Sequence, residues 1–226
     1  MIDGEKLTRW YDFQAPFYSW WRDRPDSAIL DHLHQALEAE PSSLRLLDAG
    51  CGSGWCALGL AGRRPDRAVV GIDASGGMLD VAGARAKRQG LEHVQLRHGD
   101  VHRVEDPDDC YDAITAAGLF ANLNETAPAL LEFRRLLRPG GRLFVVEFDR
   151  RQLTGIRRLV FRCMILGYRV VSTLLPRFRF SDQWNIERST VDLDAFRDTA
   201  RQLGWRQQSL TYLESHWILA LSPGDP

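Results

Sequence analysis

The sequence predicts an α/β fold: a doubly wound sheet of seven strands, mostly parallel, that ends in an antiparallel hairpin. Three observations predict it. Five short apolar runs alternate with stretches of helical periodicity, the pattern of parallel strands joined by crossover helices. The first run, LRLLDAGCGSG at 44–54, breaks into alternating glycines at Gly50, Gly52 and Gly54, then into the helical pattern Trp55, Leu58, Leu60. Near the end, WRQQSLTYL and HWILALSP are separated by Glu214 and Ser215 alone, so only a hairpin can join them and one strand opposes the rest.

The 226 residues suit a single α/β domain over 1–226, with an aromatic N-terminal segment at 1–40 and a basic insertion at 150–190. A net charge of −1 gives no reason to expect nucleic acid as a partner. The four cysteines, Cys51, Cys56, Cys110 and Cys163, are scattered with no histidine at ligand spacing. They read as buried free thiols of a reducing compartment, with no metal site. The start is polar, and no run approaches the roughly 18 apolar residues of a spanning helix, so the expectation is a cytoplasmic protein.

In chain order, RWYDFQAPFYSWW packs Trp10, Tyr11, Phe13, Phe17, Tyr18, Trp20 and Trp21 ahead of any strand, as a packed N-terminal helix or a lid. Ile29, Leu30, Leu33 and Leu37 then recur at helical spacing after Pro25, Asp26 and Ser27. AVVGID at 68–73 is a buried second strand that ends in Asp73. Ser75 stands ready to cap the helix at 78–89. HVQLRHGDV gives a third strand ending at Asp100, and YDAITAAG at 111–118 a fourth. A helix from residue 129 is expected to stop at Gly140-Gly141, before a fifth strand that ends near Glu147. Residues 193–204 form an amphipathic helix ahead of the hairpin.

The glycine turn excludes two nucleotide motifs by spacing. The third glycine of G-x-G-x-x-G would fall at Trp55, and no Gly-Lys-Ser/Thr follows. A G-x-G-x-G turn with Asp48 two residues before it resembles instead the first motif of the class I S-adenosylmethionine-dependent methyltransferases, of Rossmann-like fold. An acid ending the second strand is placed to accept both ribose hydroxyls of a nucleotide lying across the carboxyl ends of the strands. Within that superfamily the chain resembles the quinone-biosynthesis C-methyltransferases of the ubiquinone and menaquinone pathway. Tyr11-Asp12, Ala15, Tyr18, DAITAAG with Asn122, and LRPGGRLFVVEF at 137–148 carry that likeness. It departs from them at Ala121, where arginine is usual, and at Val104-Glu105, where Leu-Pro is usual.

The resemblance implies S-adenosylmethionine as cofactor, leaving S-adenosylhomocysteine, and a small lipophilic or aromatic acceptor. It implies that Asp48 and the Gly50, Cys51, Gly52 and Gly54 turn meet the methionine end, with Asp73 and Ala74 at the ribose. Met78 would cover the adenine face, Asp100 and Val101 its edge, and Ala116, Ala117 and Tyr11 the remaining walls. Asp48 could equally hold the turn's amides. Methyl transfer needs alignment and exclusion of water, and a base only where the acceptor loses a proton. Tyr18, Asn122, Glu147 and His216 are the candidates there, each with a structural reading beside it, and His102 is a surface alternative.

From 150 to 180 there are eight arginines and no acidic residue. Ile156, Leu159, Val160, Cys163, Val170, Val171 and Leu174 share one helical face with the arginines largely off it. Two readings follow: a cap over the acceptor pocket, or a helix lying on an anionic membrane surface. The membrane reading brings with it a phospholipid amine N-methyltransferase as the alternative activity. A chain that binds S-adenosylmethionine without turnover is the alternative of another class.

Overall fold

A computed structural model describes residues 8–9, 11–12, 15, 27–38, 44–155, 158–159, 161–163, 166, 190–213 and 215–224. Tyr18, most of the aromatic cluster and most of 150–190 lie outside them. Helix α1 (Ala28–Glu38) begins where the Ser27 hydroxyl accepts the Ile29 N–H at 3.1 Å, and it buries Ile29, Leu30, Leu33 and Leu37. There follow β1 (Arg45–Ala49), α2 (Trp55–Arg63), β2 (Ala68–Asp73), α3 (Gly76–Gln89), β3 (Gln95–His98) and β4 (Tyr111–Ala117). After a 3₁₀ turn at Phe120–Asn122 come α4 (Thr126–Leu136), β5 (Leu137–Phe148), α5 (Leu193–Gln202), β6 (Trp205–Leu213) and β7 (His216–Pro223).

The seven strands run in the order β3-β2-β1-β4-β5-β7-β6. β1 to β5 are mutually parallel, and β7 is antiparallel to both β5 and β6. The predicted architecture is therefore the observed one. Side chains alternate across the sheet, so the strands feed two cores. Leu143, Val145, Trp217, Leu219 and Leu221 meet α4 and α5 on one face. Phe144, Val146, Ile218 and Ala220 meet α1 and α2 on the other. Because the chain moves from β1 out to β3 and then returns to β4, the direction of winding reverses between β1 and β4. That switch point leaves a crevice at the carboxyl edge of the sheet.

Two expectations are corrected. The helix after β4 ends at Leu136, and Gly140-Gly141 does not stop it. Leu137 already pairs with Tyr111, and the register jumps before Ala113 meets Arg142. The Arg-Pro-Gly-Gly segment is thus an irregularity inside β5, where a Cβ on Gly141 would stand 2.9 Å from Arg138 O and 3.1 Å from Asp112 O. Of the four thiols, Cys51, Cys56 and Cys110 are buried as expected, but Cys163 is exposed.

Candidate functional site

The crevice is built around the turn that follows β1. Gly50, Gly52 and Gly54 all have positive φ, at 68°, 52° and 80°, which a Cβ would strain. Their surroundings differ. A Cβ on Gly50 would lie 2.7 Å from Leu119 Cδ1, whereas one on Gly52 would meet nothing within 4 Å. Gly50 is therefore a packing glycine, and Gly52 presents bare backbone to open space. The turn is pinned from β2, where Ile72 O accepts the Cys51 N–H at 3.0 Å.

Two carboxylates hold this turn from below. Asp48, buried to 1% exposure, accepts the Ala57 N–H (2.9 Å) with one oxygen and the Thr115 hydroxyl (2.7 Å) with the other. It ties the start of α2 to β4, and burial pushes its pKa up to about 7. Asp73 accepts the Gly52 N–H and the Ser75 N–H, each at 2.8 Å, and burial raises its pKa as well. Among the described residues neither forms an ion pair with lysine or arginine. Asp100 differs from both: it is exposed, and accepts the backbone N–H of His102 (2.9 Å) and a contact from its Nδ1 (2.8 Å). The partial burial that would raise its pKa is outweighed by those two bonds, which hold it below the usual range.

Between these points lie the other residues expected to line the cofactor. Met78, Val101, Ala116 and Cys51 are buried, Ala117 is half-buried, and Ala74 is exposed with its carbonyl 2.9 Å from His98 Nε2. The N-terminal segment reaches the same edge at two places. Tyr11, which is helical, donates its hydroxyl to Asn122 Oδ1 at 2.9 Å, and Asn122 Nδ2 donates to Gly118 O at 2.7 Å. Asp12 Oδ1 accepts the Ser75 hydroxyl at 2.6 Å and the Gly77 N–H at 2.9 Å. Since β2 and β4 flank β1, these two contacts set Tyr11 and Asp12 across the glycine turn. Ser75 caps α3 by accepting the Met78 N–H, as its position predicts.

On the other side of the crevice, Glu147 is buried, and its Oε1 accepts the backbone N–H groups of Phe120 (2.7 Å) and Ala121 (3.3 Å). It therefore shapes the turn that carries Asn122. His216, at the start of β7, is half-buried with its ring edge-on to Phe148 at 5.5 Å. Tyr18 lies outside the described residues. The structure thus gathers Tyr11, Asn122 and Glu147 into one cluster, while His216 sits one strand further along. His102 stays at the surface beside Asp100.

Sequence reasoning missed three contributors. Thr115 is a hydroxyl in an otherwise apolar strand, directly in register with Asp48 on β1, and that polar interruption was its signal. Gly77 was signalled by two glycines in the first turn of a helix, a poor choice unless something packs close. A Cβ there would lie 3.0 Å from Asp12 Cα. The third, Asp12, belongs to the Tyr11-Asp12 pair that carries the family likeness, but its role had no local signal, since its partners are 63 and 65 residues away.

Residues 46–141 match the family model described as "Methyltransferase domain". The chain is 42% identical over 113 residues to a demethylmenaquinone methyltransferase of Thermus thermophilus, covering 50% of each chain. It spans about half the length of this and the similar relatives it matches. Among solved structures it is similar to a SAM-dependent methyltransferase from Aquifex aeolicus, with a TM-score of 0.64, 15% identity and 98% of each chain covered. It is also similar to the [4+2]-cyclase SpnF, with a TM-score of 0.72, 18% identity, and 98% of this chain and 97% of that one covered. These two likenesses establish the fold, which by itself names no reaction.

Proposed function

We propose, for a chain that carries a methyltransferase domain on the class I fold, that it moves a methyl group from S-adenosylmethionine to a small lipophilic acceptor with an aromatic, quinone-type ring. One observation carries the cofactor half of this reading: the open Gly52 backbone is hydrogen-bonded at 2.8 Å to Asp73, at the switch point of the sheet. The residues fit the group. Gly52 leaves room for a ligand against the main chain, and the Asp73 carboxylate retains lone pairs for ribose hydroxyls. Asp48 and Asp73, unpaired with arginine or lysine, suit a ligand that carries a sulfonium charge. Bound there, S-adenosylmethionine supplies an already activated methyl group.

The chain's own residues then have distinct tasks. The turn from Gly50 to Gly54 passes the methionine end, Met78 covers the adenine, and Asp100 with the Val101 N–H addresses its edge. Tyr11 and Asp12, bridging the turn, exclude water from above. On the acceptor side Asn122 is the orienting amide. Glu147, its Oε1 engaged by two backbone N–H groups, positions Asn122 and does not act as a free base. Tyr18 and His216 remain the groups offered for a proton leaving a phenolic acceptor, whose loss places electron density on the ring carbon that is methylated. The matched relatives, named for demethylmenaquinone, support the quinone-type ring.

The test incubates the purified chain with methyl-labelled S-adenosylmethionine and demethylmenaquinone, oxidised or chemically reduced, and partitions the products between water and organic solvent. A product one methyl heavier in the organic phase is expected with the reduced acceptor. Calorimetric titration with S-adenosylmethionine that releases no heat would overturn the cofactor reading. Heat without any methylated product would overturn the acceptor.

A further inference from the structure

We infer that the helix following β5 docks this protein on an anionic lipid bilayer through a face that carries Leu159, Cys163 and Leu166. The inference rests on exposure and charge, and stands apart from the reaction proposed above. Gly155, Arg158, Leu159, residues 161–163 and Leu166 are helical. Leu159, Cys163 and Leu166 stand at i, i+4 and i+7, so they share one side of the helix. All three are exposed, Leu159 at 58% and Leu166 at 63%, more than any other large hydrophobic side chain among the described residues. The other two exposed large hydrophobics, Leu131 and Tyr212, stand singly on separate elements.

The helix nevertheless has an inner side. Phe161, about 200° around from Cys163, is half-buried and packs on Phe148 of β5 with ring centroids 5.7 Å apart. The helix is therefore anchored to the sheet by one side and turns its apolar stripe outward. Arg158 and Arg162, both exposed, border that stripe.

Charge selects the occupant. The segment 150–180 contributes eight arginines and no acid to a chain of net charge −1, leaving −9 on the remainder. A second copy in a two-fold interface would bring this basic face against itself. An anionic bilayer takes both features at once, the leucines entering the acyl boundary and the guanidinium groups meeting phosphates. A protein so docked would work where lipophilic molecules are dissolved.

The experiment uses the full chain carrying a polarity-sensitive, thiol-reactive fluorophore on Cys163, the exposed cysteine. It is titrated with vesicles of phosphatidylcholine alone and of phosphatidylcholine with phosphatidylglycerol, alongside sedimentation of unlabelled chain. Expected are a blue shift and co-sedimentation with the anionic vesicles, at least tenfold stronger than with neutral ones and weakened by salt. Arg158→Ala and Arg162→Ala should each weaken binding by about fivefold. Leu159→Asn with Leu166→Asn should abolish the blue shift while calorimetry with S-adenosylmethionine and thermal unfolding stay as in the parent. Equal binding to both vesicle types, or binding indifferent to the leucine pair, would overturn the inference. So would a change from dimer to monomer caused by the leucine pair without lipid, which would assign the face to a second copy.

Discussion

The two edges of the sheet treat their carboxylates in opposite ways. At the amino edge three half-buried acids are each paired with arginine. Asp106 accepts from both terminal nitrogens of Arg97 and from the Tyr111 hydroxyl at 2.7 Å, with Arg45 at 3.8 Å. Glu132 pairs with Arg135 at 2.7 Å, and Asp112 with Arg138 at 2.8 Å. Arg97 and Arg135 hold Asp106 and Glu132 below the usual carboxylate range. At the carboxyl edge Asp48 and Asp73 are held by amides and a hydroxyl, without lysine or arginine, and burial raises both. One edge has its acids paired with arginine, whereas the other holds two acids whose ionised forms lack such a partner and would be favoured by a cationic ligand. The difference lies in the partners rather than in exposure alone, since Asp73 is half-buried like Asp106, Glu132 and Asp112.

The largest expected effect is on the pH dependence of stability. A carboxyl group raised in the folded state contributes most below its unfolded value of about 3.9 and loses that contribution as pH rises toward its folded value, here about 7. Asp48→Asn keeps an acceptor for Ala57 and a donor for Thr115, yet cannot ionise. Relative to this variant, the parent should lose up to about 4 kcal/mol between pH 4 and pH 7 in denaturant titrations. A difference that stays flat over that range would break the comparison, because Asp48 would then titrate like the acids of the other edge.

Next in size is cofactor affinity. Asp73→Ala removes the anchor of the Gly52 N–H and the proposed ribose acceptor together, each a charge-assisted bond worth about 1.5–3 kcal/mol. Calorimetry should show affinity falling by about 100-fold, and equally for S-adenosylmethionine and its demethylated product, since both carry the ribose. A loss below threefold would remove Asp73 from the site. The mirror experiment is Asp106→Ala, which should cost about 2 kcal/mol of stability and leave cofactor affinity within about twofold. Its cost should shrink as pH falls from about 4 down through the lower folded value of Asp106, because its ion pair with Arg97 contributes only while it is ionised.

These two edges were not equally legible in the sequence. The carboxyl edge was, because its parts are local: Asp48, the three glycines, Asp73 and the Ser75 cap all lie where a strand ends and a helix begins, so turn chemistry exposes them. The strand pattern likewise gave the sheet and its closing hairpin, since a two-residue link leaves no other topology. The amino edge was illegible, because Arg45, Arg97, Asp106, Tyr111 and Arg135 meet only once the strands are in register, and arginines are common on any surface. The Arg-Pro-Gly-Gly segment misled for a related reason. Glycine after a helical run signals a stop, but pairing of Leu137 with Tyr111 claimed the chain for β5 first. Within the site itself, Glu147 was read as a candidate for catalysis, because sequence shows a carboxylate at a strand end and hides the two N–H groups that occupy its Oε1.

The smallest expected effect decides whether the N-terminal segment belongs to the carboxyl edge or only rests on it. Asp12 joins the Ser75 hydroxyl and the Gly77 N–H, so Asp12→Ala leaves α3 capped by Ser75 but frees the segment from the start of α3. If the segment closes the site, cofactor affinity should fall by about fivefold, on the order of 1 kcal/mol, and the Gly77 amide should exchange faster. Gly77→Ala tests the same junction from the other side, because its Cβ would stand 3.0 Å from Asp12 Cα and 3.1 Å from Asp12 Oδ1, and push the segment outward without removing its carboxylate. Two variants that alter different atoms of one junction and weaken the cofactor alike would extend the functional edge to residue 12. Faster exchange at Gly77 with affinity unchanged in both would confine that edge to the glycine turn and its two acids.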